Sequence, residues 1–199
     1  MKRILLIGAT GLLGTNIAKA LEGKAEVLSS SRGEGEYSVD ISDPESLKAL
    51  FKKVGSVDGI ICTAGIAHFR EWDNASDEDW RFAIENKMMG QINIIRFGEA
   101  IVKNGGAIVL TTGLLAQYPI PGSGIVSSVN AAVEAAVRSA ALETSGQVRI
   151  NAVSPSWVSE TMEAMGLDSG PGMHAKEVAN YFVKQMETGD SGSIAVAAK

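Results

Sequence analysis

Residues 2 to 14 read Lys2-Arg3-Ile4-Leu5-Leu6-Ile7-Gly8-Ala9-Thr10-Gly11-Leu12-Leu13-Gly14, and this stretch decides the fold. Ile4 to Ile7 form an unbroken apolar run of the kind a buried parallel strand shows. Gly8, Gly11 and Gly14 follow in G-x-x-G-x-x-G spacing. An amphipathic run then begins, with Leu13, Ile17 and Leu21 recurring on one helical face. Strand, glycine turn and helix in that order turn a glycine pattern into a candidate dinucleotide site. Glycine adopts dihedrals closed to other residues and lets backbone N–H groups approach a pyrophosphate at the positive end of a helix. Gly14 would also let that helix lie close on the sheet. A glycine-rich turn in an α/β protein without any ligand has the same pattern, so the rest of the chain must decide.

Working outward, the 199 residues suit one domain, residues 1–199, with a sizeable core. Composition is that of a globular protein, 45% hydrophobic and 21% charged. The net charge of −5 provides no basic field for nucleic acid or an anionic membrane. Cys62 has no second cysteine to pair with, which fits a reducing compartment. Gly8 breaks the first apolar run after four residues, too short for a signal-peptide core, and no later segment reads as a membrane span. A cytoplasmic protein is the expectation.

Strand and helix signals alternate along the chain. A second strand is expected over Ala25 to Ser29 and a third, short one over Tyr37 to Asp40, with a glycine- and glutamate-rich loop from Gly33 to Glu36 between them. Asp43-Pro44-Glu45 offers an N-cap, a proline at the first helical position and an acidic first turn. That helix runs to about Lys53, and a fourth strand spans Val57 to Thr63. Ser76 and Asp79 read as a capping box opening a helix that continues to about Val102. Gly105-Gly106 turns into a fifth strand, Ala107 to Thr112. A long alanine-rich helix ends near Ser145, and a sixth strand covers Val148 to Val153. A helix over Ala175 to Met186 and a strand over Ser193 to Val196 close the chain. This alternation predicts a doubly wound parallel sheet of about seven strands between two helical layers.

The residues now resemble the short-chain dehydrogenase/reductase family over nearly the whole chain. Gly8 to Gly14 resemble its cofactor glycine motif, and Asp40-Ile41 the acidic pair beside the adenine. Cys62-Thr63-Ala64-Gly65 resembles the stretch that ends its fourth strand. Gly106 to Gly113 and Asn130 to Glu143 resemble its fifth strand and following helix, and Arg149 to Met162 its sixth strand and nicotinamide loop, with Ser156 in place of glycine. The resemblance implies a Rossmann-type domain that binds a nicotinamide dinucleotide through Gly8, Thr10, Gly11, Leu12, Gly14, Asp40, Ile41, Thr63, Ala64, Gly65, Asn130, Pro155 and Val158. It also implies a homodimer or homotetramer, to which the small residues of the long helix are suited. Readers of NAD place an acid at the end of strand two, whereas Ser29-Ser30-Ser31-Arg32 stands here. An arginine pairs with a 2′-phosphate and a serine can donate to it, so NADP(H) is expected over NAD(H), held by Arg32 and Ser31 with Ser30 in reserve. A solvated loop arginine is the plainer alternative.

The family's Ser, Tyr and Lys fall on Gly113, Val126 and Asn130. A valine transfers no proton and an asparagine cannot stabilise a phenolate. The family's helical Asn falls on Lys87, beside Asn86. Substitutes are conceivable. Lys87 could reach toward the missing lysine's place, and Tyr118, or a hydroxyl of Thr111, Thr112, Ser127 or Ser128, could donate. The expectation is an NADP(H)-dependent oxidoreductase on a small carbonyl or alcohol with a non-standard proton donor. The alternative is a catalytically silent NADP(H)-binding sensor or interaction protein. His68 and His174 show no metal-ligand spacing, so no metal is expected. The substrate is not legible.

Overall fold

The computed structural model describes residues 1–33, 36–144 and 146–199. The opening apolar run forms β1 (Lys2–Ile7), and the amphipathic run α1 (Leu12–Leu21). β2 (Ala25–Ser31), β3 (Tyr37–Ser38), α2 (Pro44–Val54) and β4 (Val57–Cys62) follow. α3 (Asp77–Ala83) passes through a π-helical segment, Ile84–Met89, into α4 (Gly90–Gly98) and a short 3-10 turn before β5 (Val102–Thr111). α5 (Gly124–Glu143), β6 (Arg149–Pro155), α6 (Ser159–Ala164), α7 (Ala175–Glu187) and β7 (Ile194–Ala197) complete the order.

All seven strands pair in parallel in the order β3-β2-β1-β4-β5-β6-β7. Alternation along β1 divides the core, because successive side chains leave a strand on opposite faces. Leu5 and Ile7 meet Leu47, Phe51, Ile94 and Val133, from α2, α4 and α5, on one face. Ile4 and Leu6 meet Ile17, Leu21, Val178 and Phe182, from α1 and α7, on the other. The result is a three-layer αβα sandwich, the doubly wound fold the alternating signals predict. β1 connects outward to β2 and β4 connects the other way to β5, so the chain reverses direction between β1 and β4. In such sheets ligands bind in the crevice beyond the carboxyl ends of the strands at that point.

Local signals placed several boundaries well. Asp43 caps α2, its carboxylate accepting the Glu45 N–H at 2.9 Å, with Pro44 at the first helical position. Ser76 and Asp79 form the reciprocal capping box. Elsewhere the structure corrects the reading. β3 stops at Ser38 because the Ser46 hydroxyl takes the Asp40 N–H instead of a strand partner. β5 begins at Val102, not Ala107; a register shift opposite Val57 and Gly59 absorbs residues 103–106. α5 ends at Glu143, and the reading that carried it to Ser145, like the loop reading at Glu34 and Gly35, falls outside the described residues. α6, Ser159–Ala164, is a short helix that the alternating strand and helix signals do not predict.

α5 also corrects the reading that no later segment approaches a membrane span, since by length and composition it is long and apolar enough to cross one. Its hydropathy comes largely from alanines, while Val133 and Val137 pack into the sheet's core and Asn130 and Glu134 are buried with them.

Candidate functional site

The glycine turn is clamped from both sides. Gly8, at φ +88°, donates its N–H to the Ser30 carbonyl at 2.8 Å, and Ala9 donates to the same oxygen at 3.1 Å. A Cβ on Gly8 would stand 2.7 Å from Ala64 N and Thr63 Oγ1, so the end of β4 lies hard against the turn. A Cβ on Gly14 would overlap the Gly8 carbonyl oxygen and lie 2.8 Å from Ala9 Cα. Gly11 differs: its nearest neighbour would be Gly8 O at 3.5 Å, and it starts α1 without any side-chain cap. The turn is therefore closed toward the protein and open outward, with uncapped helix N–H groups at the mouth, which favours an anion.

A cavity of about 220 Å³ lies over this turn. Gly8, Thr10, Gly11, Ser31, Arg32, Asp40, Ile41, Thr63, Ala64 and Gly65 all line it. Of the remaining candidates, Leu12 is exposed and Gly14 buried behind the turn, and neither lines a cavity. Asn86 and Ile66 line it unforeseen, and Asn86 Oδ1 holds the loop after β4 by accepting the Ile66 N–H at 2.7 Å. At the rim, Arg32 is exposed, and the Ser38 hydroxyl holds its carbonyl at 3.0 Å. The Asp40 carboxylate accepts from Ser42 Oγ at 2.6 Å and Ser42 N at 2.9 Å. Those bonds, with Arg32's charge assisting, hold its pKa below the usual carboxylate value.

Behind the cavity lies a buried polar network. Lys87, in the π-helical segment, donates its Nζ to the Thr111 carbonyl at 2.7 Å. Gln91 donates to the same carbonyl at 2.9 Å and accepts the Thr111 N–H at 3.1 Å, while Thr111 Oγ1 donates to Cys62 O at 2.7 Å. Gly65, at φ +121°, is packed so closely that a Cβ would meet Lys87 Cδ at 2.8 Å. Lys87 lines neither cavity. Its ammonium ties the end of β5 to the helix instead of reaching toward Asn130's end of the site.

Burial drags the Lys87 pKa down to about 8 and pushes the Cys62 thiol up to about 12. An unfolded lysine ionises near ~10.4, so from about pH 8 to there the unfolded chain holds more protons and stability rises with pH. Cys62 acts oppositely above about pH 8.5, because the folded thiol keeps its proton. Comparison with Lys87→Met cancels the thiol's contribution. Between pH 7 and pH 9 the wild type should gain on the order of 1 kcal/mol over the variant. Urea denaturation at the two pH values checks this; a constant difference would refute a buried, charge-bearing Lys87.

A second cavity, about 570 Å³, opens beyond the ends of β5 and β6. Gly65 lines both cavities, so they form one trough across the strand ends. Gly113, Val126, Asn130, Pro155 and Val158 line this larger part. Gly113 is extended, and a Cβ there would come 3.1 Å from Asn130 Nδ2. Asn130 is buried with its Oδ1 unpartnered, and Ser156 Oγ is likewise buried and unpartnered. Thr112 lines the cavity, but its hydroxyl donates to buried Glu134 at 3.2 Å, which also pairs with Arg138 at 3.1 Å. Tyr118 sits at the rim, 67% exposed. Phe69 and Trp157 stack with ring centroids 6.0 Å apart and planes 15° from parallel. Among the described residues no group of His, Cys, Asp and Glu could hold a metal ion.

A family model described as enoyl-(acyl carrier protein) reductase matches residues 8–198. Among solved structures, the protein lin1944 from Listeria innocua is 34% identical with a TM-score of 0.94, covering 98% of this chain and 99% of that one. A small-chain dehydrogenase in complex with NADPH is 25% identical with a TM-score of 0.87, over 99% of this chain and 96% of that one. Among curated proteins, oxidoreductase UcpA of Escherichia coli K12 is 28% identical over 141 residues, 66% of this chain and 54% of the relative. Glycine betaine reductase ATRR of Emericella nidulans is 26% identical over 170 residues, 81% of this chain and 13% of the relative. The chain thus spans about half, or less, of the length of these curated relatives.

Proposed function

Since the chain belongs to the short-chain dehydrogenase/reductase family, we propose that it binds NADP(H) along the trough and acts as an oxidoreductase on a small carbonyl or alcohol in the larger cavity. The observation that carries the reading is the trough itself, two cavities meeting at Gly65, one over the glycine turn and the other over Asn130. The residues fit a nicotinamide dinucleotide. Gly8 and Gly14 admit no Cβ, Gly11 is open, and Asn130 Oδ1 and the Ser156 hydroxyl are buried without a partner among the described residues. The NADPH complex of a 25% identical relative supports the same cofactor class.

In this reading the N–H groups at Gly11 and the start of α1 take the pyrophosphate. Asp40 and Ile41 flank the adenine, and Thr63, Ala64 and Gly65 line the middle of the trough. Asn130 accepts a ribose hydroxyl, and Pro155 and Val158 border the nicotinamide. Arg32, with Ser31, pairs with a 2′-phosphate, which favours NADP(H) over NAD(H). When bound, the cofactor supplies or takes a hydride. The residues at 113, 126 and 130 orient the substrate by shape and one amide, and none of them is an acid. Of Lys87, Tyr118 and Thr112, only Tyr118 combines a place on the cavity with a hydroxyl that, among the described residues, is not donated to another protein group.

The same three positions favour a second reading, a silent NADP(H)-binding protein. Fluorescence titration with NADPH, followed by a panel of quinones, aldehydes and ketones, separates the two. Binding with turnover is expected, whereas binding without any hydride loss would favour the second. A homodimer or homotetramer is expected through the outer face of α5, where Ala131 and Ala135 are exposed; light scattering showing a monomer would count against it.

A further inference from the structure

Resting on the reading of this site as one that reduces carbonyls, we propose that its acceptor is a neutral, flat, conjugated dicarbonyl of the quinone class. The lining of the larger cavity includes no Asp, Glu, Lys, Arg or His among the described residues. A carboxylate, phosphate or ammonium would find hydrogen-bonding groups but no side chain of opposite charge there, and a buried charge without a counter-charge is costly. Phe69 and Trp157, brought together from the loops after β4 and β6, put a stacked aromatic pair on the cavity wall. A conjugated ring extends such a stack, whereas an aliphatic ketone gains only burial.

Proton supply points the same way. Hydride addition to an isolated ketone leaves an alkoxide, whose conjugate acid is about as weak as water at ~15.7, so an acid must be in reach during the step. Val126 and Asn130 offer none, the Ser156 and Thr161 hydroxyls on the cavity are no stronger as acids than the alcohol to be formed, the Thr112 hydroxyl goes to Glu134, and the Lys87 ammonium lies outside the cavity on Thr111 O. Tyr118 is a rim residue, and among the described residues its hydroxyl has no lysine or carboxylate partner to hold it. A quinone removes the requirement. It takes up one hydride and its electron pair as an O–H bond at one oxygen, the C–H bond of a reduced nicotinamide breaking, while both carbonyl π bonds give way to an aromatic ring and the charge is left on the other oxygen as a hydroquinone monoanion. The nicotinamide is oxidised, and solvent water later supplies the one proton that completes the hydroquinone. That anion is a phenolate with a conjugate acid near ~10, about six units less demanding of a proton than an alkoxide.

The test joins binding to turnover. Adding 1,4-naphthoquinone to the NADP⁺-loaded protein should quench tryptophan fluorescence saturably, and Trp157→Phe should lose that component while Trp72 and Trp80 remain. With NADPH, 1,4-naphthoquinone should be reduced at least about a hundredfold faster than cyclohexanone or benzaldehyde, at equal rates in H₂O and D₂O. Phe69→Ala, on an exposed loop, should raise the quinone KM by up to about tenfold without changing NADPH affinity. Comparable rates with cyclohexanone would overturn the quinone assignment and leave the oxidoreductase reading standing. NADPH binding with no acceptor reduced, the quinone included, would overturn both.

Discussion

Gly14→Val is expected to lose NADPH binding by at least a hundredfold (about 2.7 kcal/mol) and to lower stability by about 3 kcal/mol. The cause is backbone against backbone. A Cβ at position 14 overlaps the Gly8 carbonyl and crowds Ala9 Cα, neither of which can rotate aside. The turn cannot retreat either, because Gly8 and Ala9 are tied to Ser30 O, and Thr63 Oγ1 donates to Gly8 O at 3.1 Å. α1 would have to lift from the sheet, taking the uncapped N–H groups away from the anion site. Gly11→Ala is the matched control. Its Cβ would meet only Gly8 O at 3.5 Å, so stability should change by no more than about 1 kcal/mol. Urea denaturation with NADPH titration reads both effects; a Gly14→Val protein with wild-type stability and affinity would contradict the close packing of α1.

Arg32→Ala should weaken NADPH by about ten- to a hundredfold and NADH by no more than about twofold, the worth of a charge-assisted contact to phosphate. The arginine is exposed at the rim, so its effect should shrink as salt rises. Paired isothermal titrations at low and high salt measure this. Equal losses for the two cofactors would assign Arg32 to solvent and remove the basis for preferring NADP(H).

The sheet was legible because its determinants are local. Ile4 to Ile7 are apolar without interruption, Gly8 follows at a positive φ, and Pro44 and the Ser76–Asp79 box carry their own capping chemistry. The cofactor half of the site was legible for the same reason, since Gly8 to Gly11, Ser31-Arg32, Asp40-Ile41 and Thr63 to Gly65 are short runs at strand ends that converge on one cavity. What escaped depends on distant partners. The segment Ile84–Met89 reads as ordinary helix with nothing to mark it as π-helical, yet from it Lys87 turns onto Thr111 O and Asn86 lines the first cavity. The end of β3 depends on Ser46, a residue of the next helix. The Phe69–Trp157 pair joins residues far apart in sequence; Trp157 lies in the stretch that resembles the nicotinamide loop, but nothing marks Phe69 as its partner. The unpartnered Asn130 oxygen shows only when its neighbours are in place, although the alignment of Asn130 with the family's lysine marked the position beforehand.

The central claim is that the trough at Gly65 holds NADP(H), with Arg32 choosing the phosphorylated cofactor. The most direct measurement is fluorescence titration of the wild-type protein with NADPH and NADH side by side at low salt. The account predicts saturable one-to-one binding of NADPH at least about tenfold tighter than NADH. Absence of NADPH binding, or tighter binding of NADH, would contradict it.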